Sequence, residues 1–440
     1  MQLTILFFMI QQKYEYRPSL PFLAKSNYES LDKHTIEVLY RFWDFYKRIG
    51  YDYSADFEQA IFVAVFLHDI GKAHFEFQKQ LIKKIIWGHR HEIISVGFLR
   101  WFFPEDDNRT LISAASIITH HKDLDTILEL YLPEYEEDFC LTDILKKMTE
   151  TWNITSQDIR ENFKMQNIPL PDGKTPAVKY LSSWVKERFV NLWSKYTKKE
   201  FWGWNVDPTE DVLDLHSWIN KTDHFIRNIL INMKKIHKIL DKETLYLSRS
   251  LILLSDRLAS AKGDVKPLVW DKISKWRSEI KTKLYPHQEV VSRMVDNILL
   301  IAPTGSGKTE SALLWANNIS NHKKSGVFYY LLPYQANLNA MFRRFEEKYH
   351  FEIKEIGLLH SRSFLTIYKE LQERNETSHD LIYLARRMNN HIRLFGVSLF
   401  LTTPYQLIKM VFGLPGHEVI RTNLINSVIV VDEGHAYAPY

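Results

Sequence analysis

Asn297-Ile-Leu-Leu-Ile-Ala-Pro-Thr-Gly-Ser-Gly-Lys-Thr309 decides how the second half of this 440-residue chain is read. An apolar run enters a glycine-bracketed turn, and the helical pattern Glu310-Ser-Ala-Leu-Leu-Trp-Ala-Asn-Asn-Ile-Ser320 follows. Strand, loop and helix in that order are the setting a phosphate-binding loop requires. In Thr304-Gly305-Ser306-Gly307, the glycines permit a tight turn whose backbone N–H groups surround phosphate oxygens. Lys308 can reach the β- and γ-phosphates, and Thr309 offers a hydroxyl to Mg²⁺. Ala302 stands where the strict pattern has its first glycine. The expected ligand is a nucleotide with its β- and γ-phosphates, together with Mg²⁺.

Downstream, Asn426-Ser-Val-Ile-Val-Val-Asp-Glu-Gly-His435 is an apolar run that ends in two carboxylates. Asp432 would close the strand at its C-terminal end, where open α/β sheets bind ligands, and hold Mg²⁺. Glu433 would orient or activate the attacking water. Four candidate strands (297–302, 326–332, 397–403 and 426–431) alternate with helical stretches. The alternation predicts an α/β P-loop lobe with a mainly parallel sheet over residues 284–440.

Upstream the pattern changes. From about residue 30 to 261 apolar positions recur at helical spacing, which predicts an all-α domain over residues 1–264. A lysine-rich stretch with proline signals, 265–283, is read as the join. His34, the pair His68-Asp69, His91, the pair His120-His121, and Asp256 lie on apolar helices or at their ends, with Gly71 read as a helix stop. Packed helices could converge these groups on one interior point. Burying them together without metal would cost several kcal/mol in desolvation and unmade hydrogen bonds.

Imidazole with carboxylate suits Mn²⁺, Fe²⁺, Co²⁺, Ni²⁺ or Zn²⁺. Seven ligands are too many for one ion and a sensible number for two, which at ~3.5–4 Å apart clamp both oxygens of a phosphodiester displacement. Asp69 is the candidate bridge, because its two oxygens can serve two ions. Lys72 is placed to stabilise the phosphorane charge. His74, His89, His216, His224 and His237 lack partners in the sequence and are read as structural, with His89 the nearest to an exception.

Composition narrows the classes. The formal charge of +4 excludes a tail-dominated polycation. The 45% hydrophobic content excludes wholesale disorder. A single cysteine, Cys140, excludes an internal disulfide and any cysteine-built zinc module. The apolar opening Leu3 to Ile10 is about half of what a membrane-spanning helix needs. No export signal surrounds it, so a cytoplasmic protein without a membrane partner is expected.

Together these motifs carry a resemblance. Asp432-Glu433-Gly434-His435 resembles the DExH motif of superfamily 2 helicases, and Tyr285-Pro-His-Gln288 their adenine-reading segment, with Gln288 the reader. Leu332-Pro-Tyr-Gln335 and Thr402-Thr-Pro-Tyr-Gln406 are similar to the motifs that touch the nucleic-acid backbone. His34, His68-Asp69 with Gly71-Lys72, Arg90-His91-Glu92, His120-His121 and Ser255-Asp256-Arg257-Leu258-Ala259-Ser260 resemble the HD nuclease domain.

An HD domain ahead of a DExH lobe resembles the CRISPR-associated nuclease–helicase of type I interference systems. The resemblance implies nicking and degradation of single-stranded DNA, ATP-driven translocation, and recruitment by a crRNA-guided surveillance complex. It also implies a ligand set. His34, His68, Asp69 and Asp256 would hold one ion, and Asp69, His91, His120 and His121 the other. A superfamily 2 motor needs a second RecA-like lobe, and the sequence stops five residues after His435. The expectation is therefore weak nucleotide binding and no unwinding by these residues alone, with a separate chain as one source of the second lobe. Two rival readings are an HD phosphohydrolase acting on nucleotides and a non-catalytic recruitment module.

Overall fold

The computed structural model describes residues 20, 22–50, 52–132, 141–152, 177–267, 270–279, 283–373, 378–414 and 416–437. The apolar opening Leu3 to Ile10, the acidic stretch Glu134–Asp138 and Cys140 lie outside the described residues. Packing divides the chain into two compact units, residues 1–39 with 55–241, and residues 40–54 with 242–440.

The first unit is all helix among its described residues. Its central helix, Ala55–Leu67, is apolar on every face, with Phe57 and Ala60 to Leu67 all buried. A helix of that kind belongs inside a bundle. It packs on Asn108–Thr119, where Ser113 Oγ donates to the Ala60 carbonyl at 2.8 Å. On its far side aromatic rings fill the space. Phe66 stacks on Trp184 at 4.9 Å, and Phe62 meets the Trp193 ring edge-on at 5.1 Å.

The second unit holds a four-stranded, wholly parallel sheet in the order β2-β3-β1-β4. The strands are β1 (Phe328–Leu331), β2 (Ile356–Leu359), β3 (Leu399–Thr402) and β4 (Val428–Val431). Three of them fall inside apolar runs that the sequence marks as strands. The fourth expected strand, 297–302, makes no ladder with a described strand, and Leu299 and Ile301 are each 87% exposed. β2 takes its place in the count. Its Ile-Gly-Leu-Leu has no β-branched run to reveal it, and Gly357 is there because a Cβ would come within 2.7 Å of the Phe400 ring.

The packing boundary does not follow the composition. Within 265–283, the helix Asp271–Glu279 buries Ile273 and Trp276 in the apolar core of the second unit. That helix is part of the core of the unit. Residues 40–54 join the second unit because Arg48 is fully buried there. Its guanidinium donates to the Val397 carbonyl at 2.8 Å and to Asn423 Oδ1 at 2.7 Å. The helix Lys242–Ser260 joins it by packing along His417–Leu424, with Arg249 paired to Glu418.

Candidate metal centre and nucleotide-binding loop

The apolar helix Ala55–Leu67 ends in a turn that carries His68 and Asp69, and a short 3₁₀ segment, Ile70–Ala73, follows. Gly71 is required here for space. A Cβ would lie 2.1 Å from the His91 carbonyl oxygen, so the glycine admits the helix His91–Gly97 against the turn. Its backbone φ is not positive, so close approach rather than a left-handed stop explains it. Ser95 locks the pair of elements together. Its Oγ accepts from Gly71 N–H and donates to the His68 carbonyl, both at 2.9 Å.

Six of the seven candidate ligands meet. Asp69, His91, His120 and His121 form one cluster, and His34, His68 and Asp69 another; in each, the ligand atoms lie within 4.8 Å of one another. Asp69 belongs to both, and its oxygens divide between them. Oδ1 faces His91 Nε2 at 3.0 Å, whereas Oδ2 faces His34 Nε2 at 3.2 Å and His68 Nε2 at 3.5 Å. Asp256 is not in either cluster. It sits on the helix Lys242–Ser260 of the second unit, beside Ser260.

The imidazoles are held from behind. His68 Nδ1 is 2.7 Å from the Val65 carbonyl and His120 Nδ1 is 2.6 Å from the Ile117 carbonyl. A carbonyl can only accept, so each Nδ1 carries the proton and each neutral Nε2 keeps a lone pair aimed inward. His34 Nδ1 lies 2.9 Å from Glu29, and His91 Nδ1 lies 3.3 Å from Glu92. His120 Nε2 is buried with no hydrogen-bond partner. A buried imidazole nitrogen left unpaired beside a carboxylate and further imidazoles is a ligand position, so the donor set fits divalent transition metals.

Charge agrees with that fit. Burial alone would raise the Asp69 carboxyl, but Lys72 and then His68 hold it well below the usual carboxylate range. Lys72 Nζ is 2.6 Å from Asp69 Oδ2. Burial, then His121 and His68, push His120 down to about 3. Burial works against the charge of Glu92 too, but His91, His120 and Arg90 bring it to about 2. The mouth of the site is a cavity of about 680 Å³ lined by cations from Lys25, Lys72, Arg90 and Lys122, with Phe77 on its wall.

Four supports were absent from the sequence reading: Glu29, Ser95 and the carbonyls of Val65 and Ile117. Glu29 could have been suspected five residues ahead of His34; the carbonyls carry no side-chain signal at all. Of the remaining histidines, His74 is buried and caps the helix Phe75–Lys83, accepting from Glu76 N–H at 3.1 Å. His89 lines the mouth beside Trp87, while His216, His224 and His237 are exposed.

In the second unit, Gly305 and Gly307 both take φ +79°, a region closed to most side chains. Gln288 ties its segment to the loop. Its Oε1 accepts from Tyr285 N–H at 3.1 Å and its Nε2 donates to the Gly307 carbonyl at 3.2 Å. Lys308 opens the helix Lys308–Lys323 and reaches the Ala302 carbonyl at 3.2 Å. Asp432 follows β4, and Tyr330 donates to its Oδ2 at 2.6 Å. Glu433 has φ +54°, a conformation that costs a non-glycine residue about 1 kcal/mol and is kept where geometry demands it. Lys308, Asp432, Glu433 and His435 line one cavity of about 400 Å³ with residues 298–302 and β4. Tyr334 and Tyr405 stand at the ends of β1 and β3, 61% and 67% exposed.

Family models match both halves of this arrangement, the HD domain over residues 31–148 and the DEAD/DEAH box helicase over residues 285–439. The CRISPR-associated nuclease/helicase Cas3 of Methanothermobacter thermautotrophicus is 25% identical over 454 aligned positions, covering 94% of this chain and 50% of that protein. The chain is similar to CRISPR-associated nuclease/helicases over nearly all of its length. The putative nuclease/helicase of Methanocaldococcus jannaschii is 32% identical over 146 residues, covering 32% of this chain and 19% of that one. The crystal structure of T. fusca Cas3 overlays with a TM-score of 0.47 at 16% identity, covering 94% of this chain and 46% of that chain. The chain thus spans about half the length of that nuclease/helicase from Methanothermobacter thermautotrophicus. Among the described residues no helix is long and apolar enough to cross a membrane.

Proposed function

We propose that this chain is a metal-dependent nuclease that nicks and degrades single-stranded DNA in type I CRISPR interference, coupled to a DExH ATPase lobe. One observation carries the reading: the two oxygens of Asp69 face two separate histidine sets, His91 on one side and His34 with His68 on the other. A carboxylate shared by two ligand sets suits a pair of divalent transition metals, which when bound would supply Lewis-acid charge for phosphodiester hydrolysis. His34, His68 and Asp69 would hold one, and Asp69, His91, His120 and His121 the other.

The chain's own groups do the rest. The carbonyls of Val65 and Ile117 fix the tautomers of His68 and His120. Glu29 does the same service for His34, and Glu92 places a carboxylate 3.3 Å from His91 Nδ1. Lys72 holds a positive charge at the mouth, where it would offset charge developing on the phosphorane. Lys25, Arg90 and Lys122 attract the backbone of the substrate. In the lobe, Thr304 to Thr309 would cradle ATP, Asp432 would hold Mg²⁺ and Glu433 would position water. A crRNA-guided surveillance complex would deliver the single strand.

The test is cleavage of circular single-stranded DNA in Mn²⁺, Co²⁺ or Ni²⁺, with and without chelator, for wild type and Asp69→Ala. Chelator-sensitive nicking that falls at least 100-fold in the variant is expected. Unchanged cleavage by Asp69→Ala would remove Asp69 from the centre. Hydrolysis of free nucleotides, with circular DNA left intact, would replace the nuclease reading by a phosphohydrolase.

A further inference from the structure

The second unit has a basic hollow far from its nucleotide loop along the strands. A cavity of about 700 Å³ opens where the strands begin, bordered by Ile356, the first residue of β2, and Val397, just ahead of β3. Lys308 and Asp432 line a different cavity, beyond the last residue of β4. The helix Ser378–Arg393 contributes Arg386 and Arg387, and Lys262 comes from the turn after Lys242–Ser260. A second, shallower depression shares Ala261 and Asn390 with the cavity and adds Arg257, Arg393 and the Asp256 carboxylate.

The carboxylates that line this surface, Asp264 and Asp256, offset only part of the charge of its lysines and arginines. Lys354 is paired with Glu352 at 2.6 Å, and Lys266 is 3.7 Å from Asp264. Lys262, Arg386, Arg387 and Arg393 are exposed and form no ion pair with a described residue. Cations gathered in a concave surface reinforce one another's field and draw a polyanion. Arginine forks match phosphate oxygens in pairs. The cavity is also apolar in part, through Leu384 and Ile392, and Tyr383 stands on the same wall with 70% of its surface exposed. Phosphate-binding cations beside an apolar hollow and an open aromatic face are the combination that holds unpaired bases. A duplex keeps its bases stacked on each other and cannot offer them to Tyr383.

We propose that this hollow binds single-stranded nucleic acid, phosphates on Arg386, Arg387, Arg393 and Lys262, and a base against Tyr383. The inference goes beyond the metal-centre reading and stands whether or not that centre cleaves.

The test is binding of a fluorescent oligothymidylate to the full chain, followed by anisotropy in chelator, without nucleotide, across a salt series. Arg386→Glu/Arg387→Glu should weaken binding tenfold or more. It should also flatten the plot of log K against log salt by about 0.7 for each phosphate that is no longer neutralised. Tyr383→Ala should weaken binding at least threefold with the salt slope unchanged. Lys234→Glu/Lys238→Glu, the same charge change on exposed residues of the first unit, should have little effect. Equal weakening by both double variants would assign the effect to net charge and overturn the proposal, as would unchanged affinity in the first. Competition by duplex as effective as by single strand would overturn it too. Competition by an RNA strand of equal length separates a DNA-preferring site from one that takes either. Should the glutamate pair fail to fold, Arg386→Gln/Arg387→Gln is read by the same criteria. A wild-type chain that binds the oligothymidylate in chelator but fails to nick circular single-stranded DNA in Mn²⁺ would count against the metal centre alone.

Discussion

At the scale of single residues, Gly71 and His74 show how much depends on atoms next to the proposed ligands. A methyl group at Gly71 would meet the His91 carbonyl at 2.1 Å, and neither backbone can yield alone. Gly71→Ala should therefore destabilise the first unit by about 2–3 kcal/mol, the range for overpacking, and weaken metal binding because His91 is displaced. Urea unfolding and calorimetric Mn²⁺ titration check both effects. His74 is a pH device of the fold. Its Nε2 donates to the Ile144 carbonyl at 3.1 Å and its Nδ1 accepts from Glu76 N–H, so a second proton breaks the helix cap. Burial pushes its pKa down to about 4 from a normal 6.5. Between those values the unfolded chain binds the proton and the folded chain does not, so stability falls as pH drops from 6.5 to 4. His74→Asn, which keeps a capping side chain, should remove up to about 3 kcal/mol of that pH dependence. Urea titrations of both proteins at pH 7 and pH 4 would show it; equal losses would contradict it.

At the scale of elements, two contacts decide what the sheet can do. Tyr330 on β1 reaches across to Asp432 at the end of β4 and fixes the carboxylate from behind. Tyr330→Phe keeps the ring and removes the donor, so Mg²⁺-dependent ATP affinity should fall roughly fivefold, about 1 kcal/mol, with nucleotide binding in chelator unchanged. A fluorescent ATP analogue measures both. Arg48 is the second contact. Its buried guanidinium joins the end of the helix Leu31–Ile49 to the segment before β3 and to Asn423. Arg48→Ala leaves the Val397 carbonyl and Asn423 Oδ1 without their donor, and should cost about 2–4 kcal/mol in chemical unfolding, more than any exposed arginine.

At the scale of the whole molecule, the two compact units carry candidate sites for two kinds of ligand, so ligands should stabilise them separately. A ligand at 100 times its Kd adds about 2.7 kcal/mol to the unit that binds it. Mn²⁺ should protect amides of residues 55–131 from hydrogen exchange, and ATP with Mg²⁺ those of residues 286–323 and 428–437. Protection of both regions by Mn²⁺ alone would contradict the assignment of the histidine clusters as the transition-metal site.

Residue types and their spacing were enough to read an all-α region followed by an α/β P-loop lobe, because helical periodicity and the glycine-bracketed loop are local properties. They also named Asp69 and the five histidines, since each sits on an apolar helix or at its end. Other features needed the tertiary structure. Which oxygen of Asp69 faces which histidine depends on helices brought together through Gly71 and Ser95. The carbonyls that set the tautomers of His68 and His120 have no letter in the sequence. Residues 297–302 look like a strand, but a strand exists only where a neighbour completes its ladder, and none of the four described strands does. Asp256 sits on the expected apolar helix, yet packing assigns that helix to the second unit. Patterns within one element can be read along the chain, whereas contacts between elements are decided by which surfaces remain to be buried.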